Sequence, residues 1–194
     1  AREVAAIQSV QKPFDCRNWG QRPFRNPHHS ASSTALVGGG TNPKPGEISL
    51  AHGGVLFLDE LPEFPRSVLE VLREPLESGE ICISRARAQA TFPAQFQLIG
   101  AMNPCPCGFS GSRQRACRCS PDQVQRYRQR ISGPLLDRID LHIPMQALSH
   151  EELQSAPKGD ASQEVKERVL AARKRQLARQ GKTNARLNNT ELEQ

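Results

Sequence analysis

Short apolar runs, separated by polar and glycine-rich stretches, dominate the pattern of this chain. Four consecutive apolar residues, 55–58, stand between two glycines and two acids, and a second apolar run spans 96–102. Wholly apolar runs with β-branched and aromatic members predict strands that are buried on both faces of a parallel sheet. Between these runs, apolar residues at helical spacing predict a helix over 65–78, which Gly79 ends.

The pattern changes after this predicted helix from a helical to an alternating period. Apolar and polar positions alternate over 80–92, which predicts a β-hairpin with arginines near its tip. Later segments predict a helix over 120–131, a short strand at Leu141 and Ile143, and a long helix over 162–180. The order strand, helix, hairpin, strand, helix, strand is typical of an α/β fold.

Composition and charge narrow the class of protein. The chain has 194 residues, a formal net charge of +6 and 37% hydrophobic residues. No apolar run approaches the roughly 18–20 residues of a membrane helix, and the first ten residues lack the pattern of a secretory signal. We therefore expect a cytoplasmic protein that has no membrane partner.

The charges are unevenly distributed along the chain. Residues 46–80 are strongly acidic, whereas residues 105–138 and 158–186 are strongly basic. An acidic segment followed by two basic ones indicates a bound cation in one place and a polyanion in another. Solvated helix faces are the alternative, above all for the last segment.

Polar side chains follow both apolar runs. Asp59 and Glu60 come directly after the first run, and Asn103 ends the second. Ligands bind at the carboxyl ends of strands in open α/β sheets, and a nucleotide hydrolase needs one acid for Mg²⁺ and another to polarise the attacking water. The alternatives are a solvated acidic helix start for the acids and a turn for Asn103.

Four of the six cysteines are grouped in two pairs. Cys105 and Cys107 are followed nine residues later by Cys117 and Cys119. Four thiolates can hold one Zn²⁺ and so close a loop that has few apolar residues of its own; reduced thiols and disulfides are the alternatives. His28 and His29 are further candidate ligands, although adjacent histidines on regular structure do not face one site, which favours structural roles.

Several longer motifs carry a family resemblance. The segments 22–30, 45–52, 53–61 and 132–140 are similar, in this order, to segments of the Mg-chelatase-like branch of AAA+ ATPases. The resemblance covers residues 1–143 and implies a partial P-loop NTPase core in residues 1–145, with a parallel sheet and a β-hairpin insertion. Residues 146–194 would then be a linker and the first helix of a helical lid domain.

The resemblance assigns roles to four residues. Asp59 and Glu60 would be the Walker B pair that binds Mg-ATP, and Asn103 the sensor-1 residue. Arg138 resembles the arginine finger that enters the nucleotide site of a neighbouring subunit in a hexameric ring. The structural alternative for Arg138 is a salt bridge to Asp137 or Asp140.

The resemblance also implies what the ring acts on. The predicted hairpin would point into the pore of the ring, where basic side chains grip a phosphate backbone. The candidate DNA contacts lie at the hairpin tip and on the cysteine loop: Arg85, Arg87, Arg113, Arg115 and Arg118. We expect an ATP-driven motor on DNA with helicase or branch-migration activity. The alternatives are a motor that drives Mg²⁺ insertion into a porphyrin and a non-enzymatic, zinc-stapled DNA-binding module.

The chain departs from the family in two respects. It has no G-x-x-x-x-G-K-[ST] motif, and Pro43 interrupts the glycine-rich residues 38–44, so they cannot form a phosphate-binding loop. No residue matches the sensor-2 arginine of the lid. We therefore expect a piece of a longer protein that begins after Walker A, ends inside the lid and by itself binds ATP weakly or not at all.

Overall fold

A computed structural model describes residues 1–85, 88–112, 115–145, 154–155 and 159–192. The chain divides into two compact units, Ala1–Ala147 and Leu148–Gln194. Within the described residues, no helix combines the length and the apolar character needed to cross a bilayer.

The first unit contains all the strands described here and most of the helices. Its strands are β1 (Phe24–Arg25), β2 (Gly38–Gly39), β3 (Lys44–Pro45), β4 (Val55–Leu58), β5 (Glu80–Arg85), β6 (Ala88–Pro93) and β7 (Gln97–Gly100). Its helices are α1 (Arg2–Gln11), α2 (Ser33–Val37), α3 (Glu47–Leu50), α4 (Arg66–Val71), α5 (Arg73–Ser78), α6 (Pro121–Arg128) and α7 (Gly133–Leu136). The second unit has α8 (Ser162–Gln180) and α9 (Asn189–Leu192).

A parallel sheet of three strands forms the centre of the first unit. The strand order is β1-β4-β7, and β4 pairs in parallel with both neighbours. Gly54, just before β4, allows the close approach of β1, because a Cβ there would lie 1.9 Å from the carbonyl oxygen of Pro23. The α/β architecture with a parallel sheet confirms the predicted fold class.

The two faces of this sheet differ. Leu56 and Leu58 are fully buried and pack in a core with helical residues such as Leu36, Leu69 and Leu135. On the other face, Val55 and Phe57 are only half-buried. Phe57 stacks on Phe24, which is 64% exposed, and Ile99 in β7 is 41% exposed. Burial of β4 on both faces is therefore a prediction that the described residues do not bear out.

A hairpin and a helix beside the sheet agree with the sequence pattern, except that the helix is interrupted once. β5 and β6 form the predicted antiparallel hairpin, which buries Ile81 and Ile83. The predicted helix over 65–78 is divided at Leu72 into α4 and α5. Pro75 explains the division, because it has no N–H to donate to the carbonyl four residues earlier. Gly79, at φ 74°, ends α5 in the left-handed region.

Three further elements were predicted in the second half of the chain, two helices and one strand. The helix predicted over 120–131 ends at Arg128, and α8 has the predicted bounds. The predicted strand at Leu141 and Ile143 is wrong. Both side chains are more than 70% exposed, and no strand among the described residues pairs with this segment.

Candidate functional site

The carboxyl ends of β4 and β7 remain joined beyond the sheet. The N–H of Ala101 donates to the carbonyl of Leu58, and the N–H of Leu61 donates to the carbonyl of Ala101, both over 2.9 Å. These two bonds hold the turn with Asp59 and Glu60 against the segment that leads to Asn103. The three residues predicted at the strand ends therefore belong to one edge of the sheet.

Glu60 has an unusual backbone. It is the only non-glycine residue with a positive φ in the part of the chain that the structure describes, at φ 52° and ψ 47°. Its N–H donates to Oδ1 of Asp59 over 2.9 Å, which helps to hold this turn. Left-handed backbone at a non-glycine residue costs of the order of 1–3 kcal/mol and is concentrated at functional sites.

His29 lies against the carboxylate of Glu60. Nδ1 of His29 is 2.9 Å from Oε2 of Glu60. The imidazole is tilted by 34° against that of His28, at 4.1 Å between ring centroids, and meets the buried ring of Phe64 edge-on at 6.4 Å. Nδ1 of His28 is in turn 2.8 Å from the hydroxyl of Ser30. Structural roles were expected for both histidines, and the contact between His29 and Glu60 was not predicted from the sequence.

Tyr127 of α6 lies behind the strand ends. Burial of its ring, followed by the carboxylate of Glu63, raises the pKa of Tyr127, while the backbone N–H of Asn103 donates to its hydroxyl and acts in the opposite direction. The end of α6 and the residues after it make two further contacts here. Arg128, the last residue of α6, donates to the carbonyl of Pro104, and Arg130 pairs with Glu63 at 2.9 Å. Contacts from α6 and the residues after it therefore stabilise the segment after β7 that carries Asn103.

The four predicted cysteines converge on one point. All four sulfur atoms lie within 4.8 Å of one another. Sγ of Cys105 is 3.4 Å from Sγ of Cys107 and 3.6 Å from Sγ of Cys117. A disulfide would need about 2.05 Å, whereas tetrahedral zinc with bonds of about 2.3 Å separates its sulfurs by about 3.8 Å. The cluster therefore fits a metal and not disulfides.

The protein also supplies N–H donors to these sulfur atoms. The backbone N–H groups of Arg118 and Phe109 lower the pKa of Cys107 to about 6. The backbone N–H of Cys107 acts in the same sense on Cys119, but burial and the neighbouring thiols outweigh it and raise the pKa of Cys119 to about 12. The N–H of Ser110 donates to Sγ of the fully buried Cys105 over 3.3 Å.

Two of the predicted DNA contacts are exposed on this loop. Arg118 extends from the segment between two of the cysteines, and the guanidinium of Arg115 lies 4.5 Å from the centre of the Phe109 ring. The structure describes the backbone of Arg85 at the end of β5 but not its side chain. Arg87 and Arg113 lie outside the described residues.

Arg138 has a partner that the sequence did not suggest. Nη2 pairs with Oε1 of Glu77 in α5, not with Asp137 or Asp140, and Nη1 donates to the carbonyl of Pro134 over 2.5 Å. Nε is buried and has no hydrogen-bond partner among the described residues. At the other end of α7, the hydroxyl of Ser132 donates to Glu70. Helix α7 is therefore fastened to α4 and α5 at both ends.

The three-stranded parallel sheet with its flanking helices is consistent with a partial P-loop NTPase core. In a comparison with protein families, residues 1–153 match the family described as magnesium chelatase, subunit ChlI. The chain belongs to this Mg-chelatase family and is thus a member of the AAA+ proteins, as its motifs indicated.

Several curated proteins are similar over the whole chain. It is 57% identical to Competence protein ComM of Haemophilus influenzae and 56% identical to a protein named YifB of Escherichia coli, in both cases over 100% of this chain and 38% of the relative. An MCM-type protein of Methanocaldococcus jannaschii is 30% identical over 56% of this chain and 14% of its own. The chain thus spans less than half the length of these relatives.

Proposed function

We propose that this chain is part of an AAA+ ATPase that hydrolyses ATP in a hexameric ring and drives DNA helicase or branch-migration activity in DNA uptake and recombination. The observation that carries the proposal is the placement of Asp59, Glu60 and Asn103 at two neighbouring strand ends that main-chain hydrogen bonds hold together. The similarity to a competence protein supports DNA as the substrate of the motor.

Each of the three strand-end residues has a role in this reaction. Asp59 offers the carboxylate that Mg²⁺ prefers as a ligand, and the ion neutralises charge on the phosphates. Glu60 orients a water molecule and accepts its proton as the water oxygen bonds to the γ-phosphorus. The bond from that phosphorus to the bridging oxygen then breaks, and the oxygen leaves with ADP. Asn103 holds the γ-phosphate or the attacking water through its amide.

Arg138 acts in the site of the neighbouring subunit. A guanidinium placed across a subunit interface stabilises the charge that develops on the transferred phosphoryl group. It also makes hydrolysis conditional on assembly of the ring. The pair with Glu77 is then the resting contact of Arg138 within its own subunit.

The four cysteines hold Zn²⁺ in this proposal. Thiolates are preferred ligands of zinc, and the sulfur positions fit a tetrahedral site with four protein ligands, which is the structural type. The ion closes a loop whose exposed arginines include Arg115 and Arg118. These two, together with Arg85, Arg87 and Arg113, are the proposed contacts to the DNA backbone.

The test is ATP hydrolysis by the complete protein, with and without single-stranded and branched DNA. We expect hydrolysis that DNA stimulates, and Glu60→Gln should abolish turnover but preserve ATP binding, because the amide cannot accept a proton. Glu80→Gln, at an exposed residue at the start of β5, is the matched control and should retain most activity. Normal turnover by Glu60→Gln would remove Glu60 as the base, and hydrolysis indifferent to DNA would favour a chelatase-type motor.

A further inference from the structure

We infer that His29 is a positioning residue for Glu60, the base of the proposed ATPase reaction on which this inference rests. Nδ1 of His29 lies within hydrogen-bond reach of one carboxylate oxygen, Oε2, at 2.9 Å. A carboxylate held through one oxygen keeps the other, Oε1, for the proton of the attacking water. His29 would thus fix the direction in which Glu60 presents its free oxygen.

Topology explains how two residues distant in sequence meet. β1 and β4 are parallel neighbours, with Phe24 beside Val55 and Arg25 beside Leu56. The chain therefore leaves both strands at the same edge of the sheet. The segment after β1 delivers His29 to the turn that follows β4, on the opposite side of that turn from β7.

The surroundings of His29 keep its ring in place. The ring contacts both the imidazole of His28 and the buried ring of Phe64. The contact of His28 with Ser30 ties the same loop to itself. Contacts with two neighbouring rings restrict the rotation of the His29 imidazole, so it can direct a neighbouring side chain.

Glu60 needs such a partner. Its backbone is fixed in the left-handed region, but its side chain is 50% exposed. In the described residues, Glu60 forms its side-chain ion-pair contact with His29 and with no other residue. Without this contact the carboxylate would sample several rotamers in water, and misplacement of a reacting group by about 1 Å can cost 10²-fold in rate.

The test compares two variants of nearly equal size in the complete protein. His29→Asn keeps a donor near the position of Nδ1, whereas His29→Asp places a second carboxylate against Glu60. We expect kcat of ATP hydrolysis to fall by no more than about threefold in His29→Asn, and by about 10²-fold in His29→Asp, with KM within about twofold in both. Ser33→Ala, at an exposed residue at the start of α2 shortly after this loop, is the control and should stay near the wild-type rate.

A second background separates positioning from general damage to the fold. If His29 acts through Glu60, His29→Asp should cause no further loss of residual hydrolysis in a Glu60→Gln protein. An equal fold loss in both backgrounds, or wild-type or faster turnover by His29→Asp, would overturn the inference. Wild-type turnover by Glu60→Gln alone would instead overturn the proposed role of Glu60.

Discussion

Four thiols meet in a loop that offers little else to hold it together. Residues 105–119 contain one large apolar side chain, Phe109, and it lies beneath the guanidinium of Arg115. Removal of one ligand from a structural zinc site removes most of the metal affinity, and in such sites metal binding supplies folding energy. If the four cysteines hold zinc as proposed, the loop should depend on that metal more than on its packing.

Substitution of single cysteines tests this dependence. We expect about one zinc per chain in protein purified without chelator, and loss of that zinc in Cys105→Ser and in Cys117→Ser. Cys82→Ser, in β5 and outside the cluster, is the matched control and should retain the metal. Elemental analysis of the three variants measures this, and a metal-free wild-type protein with a folded loop would refute the zinc assignment.

Individual side chains also mark the limit of sequence reasoning. Spacing was sufficient to predict the cysteine cluster, because all four cysteines lie within one short segment of the chain. The contact between His29 and Glu60 was missed, since it depends on two strands becoming parallel neighbours. Glu77 was missed as the partner of Arg138 for a similar reason. Asp137 and Asp140 are nearer in sequence, but the ion pair forms with α5, a separate element of the fold.

Helix α7 is only four residues long and depends on contacts at its ends. The hydroxyl of Ser132 accepts the N–H of Leu135 and donates to the carboxylate of Glu70 in α4. This hydroxyl, and then Arg73, lower the pKa of Glu70, against the opposing effect of burial. A short helix that carries Arg138 at its exit is thereby joined to the core.

Ser132→Ala should loosen α7. We expect the free energy of opening at the amides of Leu135 and Leu136, measured by hydrogen exchange in the complete protein, to fall by about 1 kcal/mol through the lost cap. The lowered pKa of Glu70 adds a pH-dependent part, because a depressed carboxylate stabilises the fold above its unfolded pKa, near 4.5. This part of the difference should disappear as the pH falls through the folded pKa.

Ser132→Thr is the matched control, since it keeps the hydroxyl and should open like the wild type. A difference between wild type and Ser132→Ala that stays constant down to low pH would show that the bond to Glu70 contributes nothing.

Elements were easier to predict than their limits. Period and length identified β4, the hairpin and α8, because each has a pattern that few other structures share. The division of α4 from α5 at Leu72 was overlooked, although Pro75 is visible in the sequence. The two apolar residues at 141 and 143 suggested a strand, but a strand needs a partner, and the pattern of one segment does not specify one.

Arg138 connects a single chain to the proposed ring. If it acts in the neighbouring site, Arg138→Ala should lower the rate of ATP hydrolysis by the complete protein about 10³-fold or more. Nucleotide binding should be preserved. Mixed with Glu60→Gln protein, it should recover part of the activity, because some interfaces then combine an intact Glu60 with an intact Arg138. Steady-state hydrolysis across a series of mixing ratios measures this.

Arg66→Ala, on the exposed start of α4, is the control and should hydrolyse ATP at the normal rate. Mixtures that never exceed the sum of their separate activities would show that Arg138 does not act across a subunit interface.

Much of the first unit could be predicted from a few sequence signals, because a parallel sheet limits where its ligand-binding residues can lie. Once β4 is identified as a central strand, the rule that ligands bind at strand ends leads to Asp59, Glu60 and Asn103. The same reasoning failed for the far face of the sheet, where the pattern of 55–58 implied burial that the described residues do not provide. An apolar run records that a strand must be covered, but not which part of a protein covers it.

That half-covered face, with Phe24, Phe57 and Ile99, bears on how the protein is made and handled. During synthesis the nascent chain exposes this apolar face of the sheet. Exposed apolar surfaces promote aggregation, and chaperones bind surfaces of this kind. In a test tube the same face would draw copies of the isolated chain together as their concentration rises. Exposure of these three apolar side chains should therefore lower the solubility of the isolated chain.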